Sequence, residues 1–255
     1  MIKPLYLDAS LHWQVALDDG PALHVSAPGR ARCLFPLQRL ARVISPSHAC
    51  WTTAALLACL RAGVPVVFHD ASGQTVGWCF GPRRRETTLA NLLRESLDLP
   101  AGPDLLREWQ RTQARREMLD TLRALGVHSA DLSPVAVRAR LCNLHRQRLG
   151  QPAGPWLRAL QTANAAWVAE RLHGLLGDPA LICFAAEGLH LGRLLADLMA
   201  WTLHCILQDL PLIAFQHTTP QRLAAAAIER HGRRLHQALG AIVGSLEHGL
   251  RAQLM

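Results

Sequence analysis

The chain has 255 residues, half of them hydrophobic, which is enough for one large or two modest domains. Arginine and lysine number 27 against 19 acids, for a net charge of +8; Lys3 is the single lysine, so the positive charge is almost all arginine. That balance, with an isoelectric point near 9.8, points to an acidic partner, nucleic acid being the commonest. Guanidinium groups stay charged at any working pH and suit bidentate phosphate contacts. Seven cysteines (33, 50, 59, 79, 142, 183 and 205) form no C-x-x-C pair and several sit in apolar runs. They read as buried thiols in a reducing compartment, not as a disulfide frame or zinc ribbon. The start lacks the apolar stretch of a signal peptide, and no apolar run reaches the ~18–20 residues of a membrane span. The expectation is a soluble, cytoplasmic protein with no membrane contact.

In chain order, the first 80 residues read mainly as strands. Leu5–Leu7 is short and apolar, and Trp13, Val15 and Leu17 alternate with polar residues before the turn Asp19-Gly20-Pro21. Leu23 and Val25 alternate again, and Cys33–Leu37 and Arg42–Ile44 look like two further strands. Thr52–Arg61 has a helical period, a threonine to cap it and Gly63 to end it. Val64–Phe68 and Val76–Phe80 close the strand-rich part, with a turn at Asp70–Gly73 between them. Gly81-Pro82 and Arg83-Arg84-Arg85 then break the pattern, giving a β-rich unit over 1–82, a linker over 83–88 and a helical unit over 89–255.

The second part reads as helices at Leu89–Leu97, at Asp104–Leu125 with Asp104 as N-cap, and at Pro134–Leu149. Trp156–Leu176 follows as a strongly amphipathic helix, then Gly188–Leu210, irregular near Gly192. Gln221–Leu254 closes the chain as one or two helices broken near Gly240 and Gly244. The fold class expected is α+β: a small N-terminal β-sandwich-like domain followed by an all-α C-terminal domain.

This order of features resembles the CRISPR-associated adaptation integrase family (Cas-one), which inserts new spacers. The N-terminal likeness runs through Leu5-Tyr6-Leu7, Arg42-Val43-Ile44-Ser45, Thr52–Leu57, Gly63-Val64-Pro65-Val66-Val67-Phe68 and Gly73-Gln74-Thr75-Val76-Gly77. In the helical part, Leu157–Trp167 is similar to the family's frame around a metal-binding glutamate, with Gln161 in the acid's place. Asp178–Glu187 is similar to its second segment, with Ala186 at the histidine position. Leu195–Ala200 keeps Asp197, while Ala200 replaces the acid that follows in the family. The resemblance implies a β-rich dimerisation module, duplex or branched DNA as substrate, a small Cas-two-like partner, and Mg²⁺ or Mn²⁺ for endonuclease or strand-transfer chemistry.

A hard divalent cation of that kind needs several oxygen ligands. Gln161 offers a neutral carbonyl and Ala186 nothing, so the expected site is degenerate around Asp197, with catalysis weak or absent. Glu187 is the neighbour placed to substitute as a ligand, with His190 and Glu170 behind it; Asp197, Glu187 and Gln161 are thus the candidate catalytic set. In the plainer reading Asp197 lies on the exposed side of an amphipathic helix or pairs with His204 one or two turns on, Gln161 is half-exposed, and Glu187 and His190 line a loop. The thirteen histidines show no H-x-x-x-H or H-x-H spacing for zinc. Phosphate contacts need only positive charge and can outlive catalysis. Candidates for them are Arg83, Arg84 and Arg85 together with Arg138, Arg140, Arg146 and Arg148, the second group expected near one side of a helix. The alternative from another class is a non-enzymatic helical scaffold that binds protein or RNA.

Overall fold

The computed structural model describes residues 3–81, 88–176, 190–216 and 218–254. The strands are β1 Lys3–Tyr6, β2 Gln14–Leu17, β3 Ala22–Ser26, β4 Cys33–Pro36, β5 Leu40–Pro46, β6 Cys50–Trp51, β7 Val66–His69 and β8 Thr75–Cys79, with helix α1 at Thr53–Arg61. They form two four-stranded sheets, one in the order β1-β5-β7-β8 and the other β4-β3-β2-β6. In the first sheet β5 runs parallel to both β1 and β7, and β8 returns antiparallel to β7. The second is a β2-β3-β4 meander with the two-residue β6 parallel to β2. A strand of two residues has no readable period, and β6 is the one strand the sequence does not announce.

Alternation along the strands explains how the sheets stack. Val43 and Val66 point into a core shared with Val15, Leu23 and Val25 of the second sheet and Ala55 and Cys59 of α1. Their sequence neighbours Ile44 and Val67 face the other way, onto Ala166 and Ala169 of a long helix. The first sheet is therefore covered on both faces, which is why β5 is buried almost throughout. Thr52 caps α1 by accepting from Ala55 N. Gly81, just past β8, runs so close to the end of α1 that an added Cβ would lie 1.9 Å from the Leu60 carbonyl oxygen, and only glycine fits there.

The remaining helices are α2 Thr88–Leu97, α3 Gly102–Leu125, α4 Pro134–Leu149, α5 Gly154–Leu176, α6 Leu191–Asp209, α7 Pro220–Arg230 and α8 Gly232–Leu254. The α+β class and the order of its parts stand as expected. The linker expected at 83–88 lies almost wholly outside the described residues, α2 beginning at Thr88. α5 is the axis: it packs on α6, on α7 and on the first sheet. It is not amphipathic as expected, because it is buried on most sides, its exposed polar residues such as Arg158, Gln161 and Arg171 interrupting an otherwise enclosed helix. Its alanines at 159, 163, 165, 166 and 169 let three neighbours come close.

Other expectations move by a turn or less. α3 starts at Gly102, and Asp104 sits inside its first turn, paired with Arg107 at 2.6 Å, instead of capping it. α6 is regular through a buried Gly192. The closing segment breaks at His231 and not at Gly240 or Gly244, because Leu235, Leu239, Ile242, Leu246 and Leu250 form one buried stripe that holds α8 together. The cysteines are less buried than expected: Cys33 and Cys50 are exposed, and only Cys59 and Cys205 are buried among the six described, all free. Cys33 lies on the edge strand β4 and Cys50 on the short β6, where one face meets solvent. No described helix is long and apolar enough to cross a membrane.

Candidate nucleic-acid and metal site

Asp197 is exposed on α6. The protein mass around its carboxyl raises its pKa above the usual carboxylate range, against the opposing pull of Arg138 from α4 and Arg193 one turn before it. Gln161 is exposed on α5. One turn beyond it, the buried Asn164 donates from Nδ2 to the Ala196 carbonyl at 3.4 Å, tying α5 to α6 next to Asp197. Glu187 and Arg83, Arg84 and Arg85 lie outside the described residues.

Behind Asp197 on α6 come Trp201 and His204, both buried. The Arg138 guanidinium lies 5.0 Å from the Trp201 ring centre, a cation–π distance. His204 does not pair with Asp197 as expected. It shares a 3.2 Å hydrogen bond with His145 of α4, Nδ1 to Nε2, and the two rings stack at 5.3 Å and 12°. Burial pushes their pKa values down to about 3 for His204 and about 4 for His145, so both are neutral at physiological pH. His190 caps α6, its Nδ1 accepting from Arg193 N at 3.2 Å, while its ring lies 4.5 Å from that of Trp78 on β8.

Glu170 cannot replace the missing acid at Gln161, because nine residues along a helix is about half a revolution away. It faces the sheet, where its carboxylate accepts from Arg42 Nη1, while Arg42 Nη2 donates to Glu229 of α7 at 2.5 Å and to the Tyr6 hydroxyl at 3.3 Å. Arg42 is only 2 % exposed. Burial opposes its charge, but Tyr6 and Glu170 outweigh that and hold its pKa above the ordinary guanidinium value. Beyond one arginine inside a mostly apolar strand, nothing in the residue order announces this cluster.

Of the arginines expected to meet phosphate, Arg138, Arg140 and Arg146 are exposed on α4. They do not share one side. α4 buries only the stripe Val137, Leu141 and His145, and at about 100° per residue Arg140 points nearly opposite Arg138. Arg148 is spent otherwise: it donates from Nη1 to the Leu207 carbonyl at 3.0 Å and from Nη2 to that of Leu210, closing the end of α6.

Among the described residues, no three His, Cys, Asp or Glu side chains gather as a metal-binding group. Among the described residues the Asp197 face offers one carboxylate, one amide and two guanidinium groups, a donor set that does not fit a divalent cation; Glu187 lies outside them.

No protein-family model matches the sequence, and no curated protein matches it. Solved structures do match. The CAS1 protein TM1797 from Thermotoga maritima is 12 % identical and superposes with a TM-score of 0.71 over 97 % of each chain. The chain has the CAS1 fold. A TtCas1–DNA complex is 14 % identical over 96 % of this chain and 91 % of that one, TM-score 0.55, and a casposase bound to its integration product is 11 % identical over 99 % and 91 %, TM-score 0.58. The CAS1 fold thus accounts for both sheets and the described helices α1 to α8, and the likeness inferred from short motifs in both parts holds for the fold over 97 % of the chain.

Proposed function

We propose that this chain is a DNA-binding protein on the CAS1 scaffold, in which metal-dependent strand transfer is weak or lost. It acts on duplex or branched DNA in CRISPR spacer acquisition, as a homodimer through its β-rich part and with a small Cas-two-like partner. The observation that carries this reading is the surroundings of Asp197. Two arginines approach the acid that the resemblance assigns to a metal, and Gln161 brings no charge to the same helix pair. A cationic pair suits a phosphate of the DNA backbone better than a Mg²⁺ or Mn²⁺ ion. Two structural relatives point the same way, one in complex with DNA and one bound to an integration product.

Strand-transfer and nicking assays with Mg²⁺ or Mn²⁺ on the wild type and on Asp197→Ala test this. The expected result is little turnover, equal in the two proteins. Robust turnover that the substitution abolishes would overturn the weak-catalysis reading.

A further inference from the structure

A cavity of about 790 Å³ opens in the seam between the strands and the helices, and neither Gln161 nor Asp197 lines it. Its apolar wall comes from Leu5, Leu7, Trp13, Phe35 and Ala163. Arg30 from the β3–β4 loop, Arg158 from the first turns of α5 and Arg222 from the start of α7 line it as well, and all three are exposed. None of the three has a carboxylate partner among the described residues. One acid, Asp8, stands against them, and burial lowers the pKa of the nearby His69, which keeps it neutral.

The rest of the architecture adds to this charge. α5 and α7 both begin at the cavity, at Gly154 and Pro220, so the positive ends of two helix dipoles converge on it. The wall is well fixed. Gly73 of the β7–β8 turn, at φ +84°, sits so close to α5 that a Cβ there would lie 3.1 Å from Thr162 Oγ1. A volume of this size suits one small organic ligand. Aromatic and aliphatic walls beside three uncompensated guanidinium groups select a ligand that is flat and apolar at one end and multiply anionic at the other.

We propose that the cavity binds a free nucleotide, its phosphate among Arg30, Arg158 and Arg222 and its base against the apolar wall. Asp8 supplies an acceptor for an exocyclic amino group. The site stands apart from the DNA reading, since it uses none of the α4 arginines.

Isothermal titration calorimetry of the full chain with deoxyadenosine monophosphate tests it, with adenosine and inorganic phosphate as separate arms. Saturable binding near one equivalent is expected, with both partial ligands at least tenfold weaker. Arg158→Ala and Arg222→Ala should each weaken binding about tenfold, the loss of one charge-assisted contact. Ala225→Phe, on α7 and lining the cavity, should block binding while duplex-DNA binding persists. No saturation up to millimolar nucleotide, or equal affinity in the wild type and both arginine variants, would overturn the proposal. Inorganic phosphate binding as tightly as the nucleotide, or a single-stranded oligonucleotide displacing it at far lower concentration, would overturn the assignment to a free nucleotide.

Discussion

Glu170 and Asp197 sit on the two most buried of the described helices, and arginine approaches both, yet their surroundings differ. Glu170 faces inward to the first sheet, in contact with Arg42, whose other side meets the half-exposed Glu229. Asp197 faces outward, with Arg138 and Arg193 the charges that act on it through space. The same charge types therefore serve two ends. At the seam they are paired and lock strands to helices; on the α4–α6 face they leave positive charge available to a ligand. An acid in this fold is informative only together with what has already neutralised it.

The largest effect should come from breaking the paired side. Arg42→Met leaves the largely enclosed Glu170 carboxylate without its partner at an apolar interface and should cost about 2–4 kcal/mol, read from urea unfolding. Glu229→Gln should cost under about 1 kcal/mol, because that side chain is 49 % exposed. Equal losses in the two variants would mean that the cluster is not anchored at Arg42.

The next effect concerns the neutral pair beneath the open side. With folded pKa values of about 4 for His145 and about 3 for His204, against about 6.5 in an unfolded chain, the unfolded state takes up protons first as pH falls. Stability is complete above about pH 6.5 and declines below it down to the folded values. Thermal or urea unfolding should show about 2 kcal/mol lost per histidine between pH 7.5 and pH 5. The double variant His145→Gln, His204→Gln should flatten that dependence; an unchanged slope would place the titrating groups elsewhere.

Much of this architecture can be read from residue order. Seven of the eight described strands and the described α-helices follow from alternation, caps and breakers such as Thr52, Gly126 and Gly150. Long-range pairing does not. Nothing local tells that Arg42 meets residues 128 and 187 positions away, or that His204 takes His145 in place of Asp197. The breadth of α5 burial was also hidden, since Gln161, Arg158 and Arg171 give it a half-polar look while its alanines do the packing. The cavity is assembled from six separate segments and leaves no motif.

The open side should respond in binding more than in stability. Replacing Arg138, Arg140 and Arg146 by alanine should weaken duplex binding regardless of sequence and lower the salt slope by about one per true phosphate contact. Because Arg140 points away from Arg138, its single substitution should have the smaller effect if one DNA segment lies along α4. The smallest change is expected for Asp197→Asn. The ionised form is the one its surroundings disfavour, so removing the charge should leave stability at pH 7 unchanged or raised by no more than about 0.5 kcal/mol, and DNA affinity should not fall. A clear loss of either would give the carboxylate a binding role of its own.

The most direct test of the account is the affinity of the full chain for duplex DNA measured between 50 and 200 mM salt. Phosphate contacts by three or more arginines predict a log–log slope steeper than about −2 and at least a tenfold loss of affinity across that range. A flat response, or no binding at low salt, would contradict it and favour a scaffold that meets protein instead.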